Sequence, residues 1–337
     1  MKLQIATVRP AASLEWDEIW QECDYATYFH SREWAEIWNI YTNGKMYPDP
    51  KLIIFNDKKK GLLPLSHQKS LKGLVKNYIS SPAGTFGGWI SKDELTAEHS
   101  KLLSSYLIRK HRNLIWRLNP YDKTIGQNGI KITNDDKTHA LNLSHGFDAI
   151  YKKWTKDNGA IVRKARKACK EGVSIRHAVG LEDWKNYFRV YEDCLKRWAE
   201  KATSRYRWTL FEEIFKRNSH HIKLWLSFYQ EKAIAGALVF FAKKHAVYWH
   251  GAALEQYFNL RPVNLLMYEA VKNACEQGYT WFDFNPSGGH EGVTKFKKSF
   301  GTQELSSPVV NIQSKVTKLT TFSKRLHRTF KNKLTGI

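Results

Sequence analysis

The sequence predicts an α/β protein built from two mixed-sheet units in tandem. Its 337 residues exceed one ordinary domain. Strand-like and helix-like patterns alternate along the whole chain. From Ile222 the second half reads strand, turn, strand, turn, strand, helix, strand. The expected division is 1–145 and 146–310, followed by a basic amphipathic tail at 311–337. A hydrophobic content of 42%, with 13 tryptophans, is enough for two cores.

In the first half, residues 3–8 read as a strand and 14–21 as a helix with Ser13 at its N-cap. Ser31 caps a second helix that carries Trp34, Ile37 and Trp38 at helical spacing. Residues 51–56 and 62–66 flank a basic turn at 57–61 and predict a hairpin. Residues 75–80 read as a strand. The glycine-rich stretch 81–89 suits either a cleft lining or a tight connection, since glycine states only a backbone need. A helix at 95–109 and a strand at 113–119 follow, then a polar, turn-rich run at 120–138. Residues 140–143 read as a strand crossing into the second half.

The second half opens with a helical stretch at 147–172, the most basic in the chain. Residues 174–177 predict a strand, and 181–200 and 208–216 predict helices with aromatic inward faces. Strands at 222–229, 233–241 and 246–250 follow, with Gly236 expected at a bulge. Pro262 suits the first turn of a helix running to about Gln277. In the tail, Val316, Leu319, Phe322, Leu326, Phe330 and Leu334 recur at spacings of three or four. Such a stripe fits a helix on an anionic membrane surface, and equally a last helix packed on its own domain.

The totals narrow the function classes. A formal charge of +22, from 54 Lys and Arg against 32 Asp and Glu, favours an anionic partner: nucleic acid, a phosphorylated substrate or an anionic lipid surface. Cysteines 23, 169, 194 and 275 lack zinc spacing and do not form a disulfide framework, so no metal site and a reducing cytoplasm are expected. No Gly-Lys-Ser/Thr follows a glycine-rich loop, which excludes a P-loop. The first twenty residues lack the apolar core of a signal peptide, and no run reaches the length of a membrane span.

The richest stretch is WFDFNPSGGHEGVTKFKKSFG, residues 281–301. Alternation along its opening strand sets Trp281, Asp283 and Asn285 on one face and Phe282 and Phe284 on the other. A carboxylate at a strand end beside a double-glycine loop is a common way to build a site. His290 and Lys297 are the nearby groups able to do chemistry. This stretch resembles the C-terminal signature of the Fem-type aminoacyltransferases and FemAB-like acyltransferases. Ser31-x-x-Trp34, Gly61-x-Leu63-Pro64-Leu65 and VRKARKACKEGV at 162–173 are also similar to family runs, in the same order. The resemblance covers about residues 25–305 and implies two GNAT-like units in tandem.

It further implies an N-acyltransferase that forms an amide bond. The donor would be aminoacyl-tRNA and the acceptor an amine of a peptidoglycan or other cell-envelope precursor, with no tightly bound cofactor. The enzyme would be cytoplasmic, with a peripheral contact at the inner face of the membrane. Lys297 matches the lysine of the family's Phe-Lys pair and is the candidate for holding a phosphate or stabilising an oxyanion. Phe296 stands beside it. Asp283 is the candidate for orienting or deprotonating the amine, against the plain reading of a structural carboxylate capping the next loop. Arg163, Lys164, Arg166 and Lys167 are candidate phosphate contacts, against the plain reading of a solvated helical face. Arg261, His250, His290 and Tyr268 are candidate donor or pocket residues.

Two alternatives stay open. One is an acyl-CoA-dependent N-acyltransferase in polysaccharide or envelope synthesis. The connection 256–262 has no glycine to offer backbone N–H groups to a pyrophosphate, and Pro262 removes one donor, which weighs against CoA. The other is a non-catalytic protein that binds nucleic acid or an anionic surface.

Overall fold

The computed structural model describes residues 2–125, 130–156, 159–199, 202, 204–315 and 317–318. In the first half lie β1 (Ile5–Pro10), α1 (Ser13–Glu22), α2 (Arg32–Tyr41), β2 (Met46–Pro48), β3 (Lys51–Phe55), β4 (Lys60–Leu63), β5 (Ser66–Ser70), β6 (Val75–Ile79), α3 (Ala97–Lys110) and β7 (Leu114–Arg117). Then come β8 (Lys137–Asn142), α4 (Gly146–Lys156), α5 (Ala160–Lys170), β9 (Ser174–His177), α6 (Leu181–Trp198) and α7 (Trp208–Lys216). The chain continues through β10 (Ile222–Tyr229), β11 (Lys232–Ala242), β12 (His245–Ala253), α8 (Pro262–Glu276), β13 (Trp281–Asp283), α9 (Glu291–Lys298), β14 (Gln303–Ser306) and β15 (Val309–Ile312).

Ser31 Oγ accepts the Trp34 N–H at 3.1 Å, so the serine caps α2 as its sequence suggests. At α1 the cap is Ala12, and Ser13 is already helical. The basic stretch 147–172 is two helices, with Gly159 in the left-handed region at φ +63° as the N-cap of α5. β2 and β5 lack any apolar alternation long enough to reveal them in the sequence. They form by pairing with each other, Tyr47 opposite His67. Gly236 is not a bulge. It pairs with Leu226, and a Cβ there would lie 2.4 Å from the Tyr187 ring, so it admits α6 onto β11. The register shifts flank it, at Ser227/Phe228 and Leu238/Val239.

The strands form three sheets. The order is β1-β3-β4 in one, β15-β7-β6-β5-β2 in the second and β14-β8-β13-β12-β11-β10-β9 in the third. The large sheet carries α4, α5 and α8 on one face, over a core of Trp154, Ile161, Leu266 and Phe282. Its other face packs α6 and α7, and also the start of the first half. Tyr28, Phe29 and Trp34 share one buried cluster with Tyr187, Phe211 and Phe240. A third core, around Leu63, Trp89, Leu103 and Trp116, lies in the first half and takes in Val310 from β15. β8 lies in the large sheet beside β13, whereas β15 crosses back to pair with β7. Residues 311–312 therefore belong to a strand, and the tail beyond 318 lies outside the described residues.

Candidate active site

β12 and β13 run parallel and pair only through His245, Ala246 and Val247, with Val247 opposite Asp283. β12 continues to Ala253, while the chain after Asp283 turns away, so the two strands part at this point. Asn285 makes the turn in the left-handed region, at φ +62°, a conformation asparagine tolerates better than most side chains.

Asp283 is fully buried at the fork. One carboxylate oxygen accepts Thr138 Oγ1 at 2.5 Å and the Asn285 N–H at 2.6 Å, and the other accepts Tyr121 Oη at 2.5 Å. Burial pushes its carboxyl up to about 6, against the downward pull of these donors and of the Lys297 charge. Burial, with Asp283 beside it, holds the Tyr121 phenol well above its ordinary range, so it stays a donor. Lys297, near the end of α9, is only 4% exposed, and its Nζ donates to the Asn285 carbonyl at 2.5 Å. Burial lowers its ammonium to about 8, with Asp283 and Asp136 opposing the fall. Asn285 thus joins the two charges: its N–H binds the carboxylate and its carbonyl binds the ammonium.

Around this link, several buried polar atoms have no hydrogen-bond partner: Asn285 Oδ1, Ser287 Oγ and both ring nitrogens of His139. Buried polar groups normally pair, so a cluster of orphans marks a place built to meet something else. His139 lies in β8 opposite Glu304 of β14, with its Nε2 3.8 Å from that carboxylate. Burial first, then the Lys297 charge, lowers its pKa and favours the neutral imidazole.

The remaining candidates are scattered. His290 is exposed and stands at the N-cap of α9. The Phe296 ring packs on Phe300 at 5.1 Å, in the core beneath α9. Tyr268 lies against Phe147 and Trp154, at 5.4 and 5.6 Å, and also serves that core. His250 sits three residues past Val247, in an aromatic box with Tyr191 and Phe211. Its Nδ1 meets Tyr187 Oη at 2.5 Å, and burial lowers its pKa to about 3. Arg261 is exposed and precedes α8 in the left-handed region at φ +58°. On α5, Ile161, Val162, Ala165 and Ala168 are buried. Arg163, Arg166 and Lys167 face solvent, with Lys164 half-buried at the border. These cations form a surface of their own, apart from the fork. Tyr121, Thr138 and His139 belong to the fork and were not singled out in the sequence. Among the described residues, no group of His, Cys, Asp and Glu is gathered to hold a metal ion.

A model of the GNAT acetyltransferase domain matches residues 158–298, the span that contains the fork. The crystal structure of FemX superposes with a TM-score of 0.70 at 15% identity, covering 91% of this chain and 97% of that one. The structure of L-PGS from Bacillus licheniformis gives 0.54 at 11% identity, covering 91% and 93%. In sequence, the lipid II:glycine glycyltransferase of Staphylococcus saprophyticus is 36% identical over 76 residues, 20% of this chain. The matched stretch spans only 18% of that relative's length. The matched model marks residues 158–298 as a GNAT-type domain, and the fold is that of two mixed α/β units in tandem. Within that class, the chain shares its fold with FemX and a short stretch of sequence with the glycyltransferase.

Proposed function

We propose that this protein transfers an aminoacyl group from aminoacyl-tRNA to an amine of a peptidoglycan or other cell-envelope precursor. The observation that carries the reading is the buried Lys297, held by the Asn285 carbonyl at the fork beside Asp283. In this reaction the neutral amine nitrogen attacks the ester carbonyl carbon, and negative charge grows on the carbonyl oxygen. The ester C–O bond then breaks, and the departing ribose oxygen takes up the proton that the amine gives up. A fixed cation in a site shielded from water stabilises the growing oxyanion, typically by a factor of about 10²–10³. Lys297, with its pKa near 8, remains mostly ammonium at neutral pH.

Asp283 takes the positioning role in this proposal. Three donors hold its carboxylate and none of it is exposed, so it fixes the loop that presents Asn285 and Lys297. The cations of α5 are the proposed phosphate contacts for the tRNA, an arrangement that is favoured by charge density and weakened by salt. Among the described residues, no helix is long and apolar enough to cross a membrane. We place the enzyme at the cytoplasmic face.

Titrating the purified protein with uncharged tRNA and with CoA, each across a salt series, tests the donor. Tight tRNA binding with a steep salt slope and no CoA binding is the expected result. Charged tRNA pools would then show transfer to a precursor amine. CoA binding without tRNA binding would replace the aminoacyl donor by acyl-CoA.

A further inference from the structure

Far from the fork, the β5–β6 hairpin ends in the turn Leu71-Lys72-Gly73-Leu74. Leu71 and Lys72 both have positive φ, +50° and +54°, and Gly73 follows at +95°. Leucine in the left-handed region is strained, so the backbone spends energy to hold this tip. What the tip presents is apolar: Leu74 is 88% exposed and Leu71 45%. On the edge strand next to the hairpin, Tyr47 is 59% exposed. Exposed leucines scattered singly need no explanation, but two on one strained turn do.

The flanks of the turn are cationic. Lys69 and Lys76 stand directly opposite each other across the hairpin, where like charges destabilise a strand pair. Lys72 lies between them on the tip. From His67 to Ile79 there are three lysines and no acidic residue. Lys45, Tyr47, His67, Lys69 and Lys76 line a cavity of 510 Å3 at the root of the hairpin. None of the four lysines joins an ion pair among the described residues, and the nearby acid, Asp49, pairs with Lys51 through one oxygen and faces His67 with the other. His67 reaches the cavity from the buried side: it is 5% exposed, and its Nδ1 makes no hydrogen bond, with the Asp49 carboxylate 3.8 Å away.

We infer that this hairpin is a membrane-docking device. Leu71 and Leu74 enter the acyl boundary of a bilayer, and the Lys45–His67–Lys69–Lys76 cavity receives the phosphate of an anionic lipid headgroup. Apolar side chains at a tip ringed by lysines match the two layers of such a surface in the right order. An anion between Lys69 and Lys76 also removes the repulsion the hairpin carries when free. The inference does not depend on the donor or the acceptor of the transfer reaction, and it places the contact on the first half of the chain, independently of the basic tail.

Co-sedimentation of the full chain with vesicles tests it. The vesicles are phosphatidylcholine alone and phosphatidylcholine mixed with phosphatidylglycerol. Wild type should bind the mixed vesicles and not the neutral ones. The Leu71→Ser/Leu74→Ser variant, with an unchanged melting curve, should bind at least about tenfold more weakly. Lys69→Gln/Lys76→Gln should lose about fivefold per lysine, together with much of the salt dependence. Wild type staying off the mixed vesicles would overturn the proposal. So would a leucine variant that binds like wild type, because another basic segment would then be the anchor. A cavity for a soluble ligand would instead bind inorganic pyrophosphate equally in wild type and leucine variant while both stayed off vesicles, which also overturns it.

Discussion

The two halves of the chain contain the same turn put to different uses. β6 and β7 form a short parallel pair in the first half, as β12 and β13 do in the second. At the end of β7 the chain reads Arg117-Leu118-Asn119-Pro120; at the end of β13 it reads Asp283-Phe284-Asn285-Pro286. In the first half most of the turn's polar groups are consumed by structure, Arg117 Nε being the exception without a partner. Arg117 pairs with Asp136 at 2.9 Å and donates to the Ser307 carbonyl at 3.1 Å. Asn119 donates to the Tyr25 carbonyl at 2.7 Å and accepts the Tyr121 N–H at 3.2 Å. In the second half Asn285 is left-handed, its side-chain oxygen is unpaired, and its backbone holds a buried carboxylate and a buried ammonium. The first turn also sends Tyr121 across to Asp283. One unit thus supplies support and the other supplies an open polar fork.

The largest expected effect is at Asp283. Asp283→Ala leaves three buried donors without their acceptor and should cost about 2–5 kcal/mol of stability, read by denaturant unfolding. A loss under ~1 kcal/mol would show that the carboxylate does not hold the fork. Asn119→Ala should come next, at about 1–3 kcal/mol, because the Asn119 side chain is buried and makes two hydrogen bonds. Asn285→Gly keeps the left-handed turn and removes only an unpaired side chain. It should change stability by less than about 1 kcal/mol while lowering the transfer rate. If the two asparagine variants behaved alike, the contrast between the turns would fail.

The pH profile sharpens the same contrast. Burial lowers the Lys297 pKa, so the ammonium is present below about 8 and lost as pH rises through that value. The transfer rate should therefore fall on the alkaline side near pH 8. Asp283→Asn removes the neighbouring charge that supports the ammonium, and the limb should move to lower pH. A limb that does not move would remove Asp283 from this role. Arg117→Ala should have the smallest effect on the pH profile, at most a small upward move of the limb, because it unpairs the Asp136 carboxylate that supports the Lys297 ammonium.

What could be read from the sequence depended on how local the signal was. The run 281–301 places Asp283, the loop and Lys297 within one short stretch, so its composition alone marked them. Tyr121 and Thr138 are 162 and 145 positions from Asp283, in a polar run without periodicity, and only the β8–β13 pairing brings Thr138 to the carboxylate. His139 was hidden for the same reason. The tandem α/β organisation was legible from the strand and helix patterns. The exchange of β15 into the five-stranded sheet of the first half was not, because Val309–Ile312 is a four-residue strand defined only by its partner. Gly236 was flagged correctly as special but for the wrong reason: periodicity cannot distinguish a bulge from a place where an aromatic ring rests on the backbone.

The most direct test compares single-turnover transfer by Lys297→Ala and Arg117→Ala, once the donor is known. Lys297→Ala should lower the rate about 10²–10³-fold with donor affinity largely kept. Arg117→Ala should stay close to wild type. Equal losses in the two variants, or an unchanged rate in Lys297→Ala, would contradict the placement of the chemistry at the second turn.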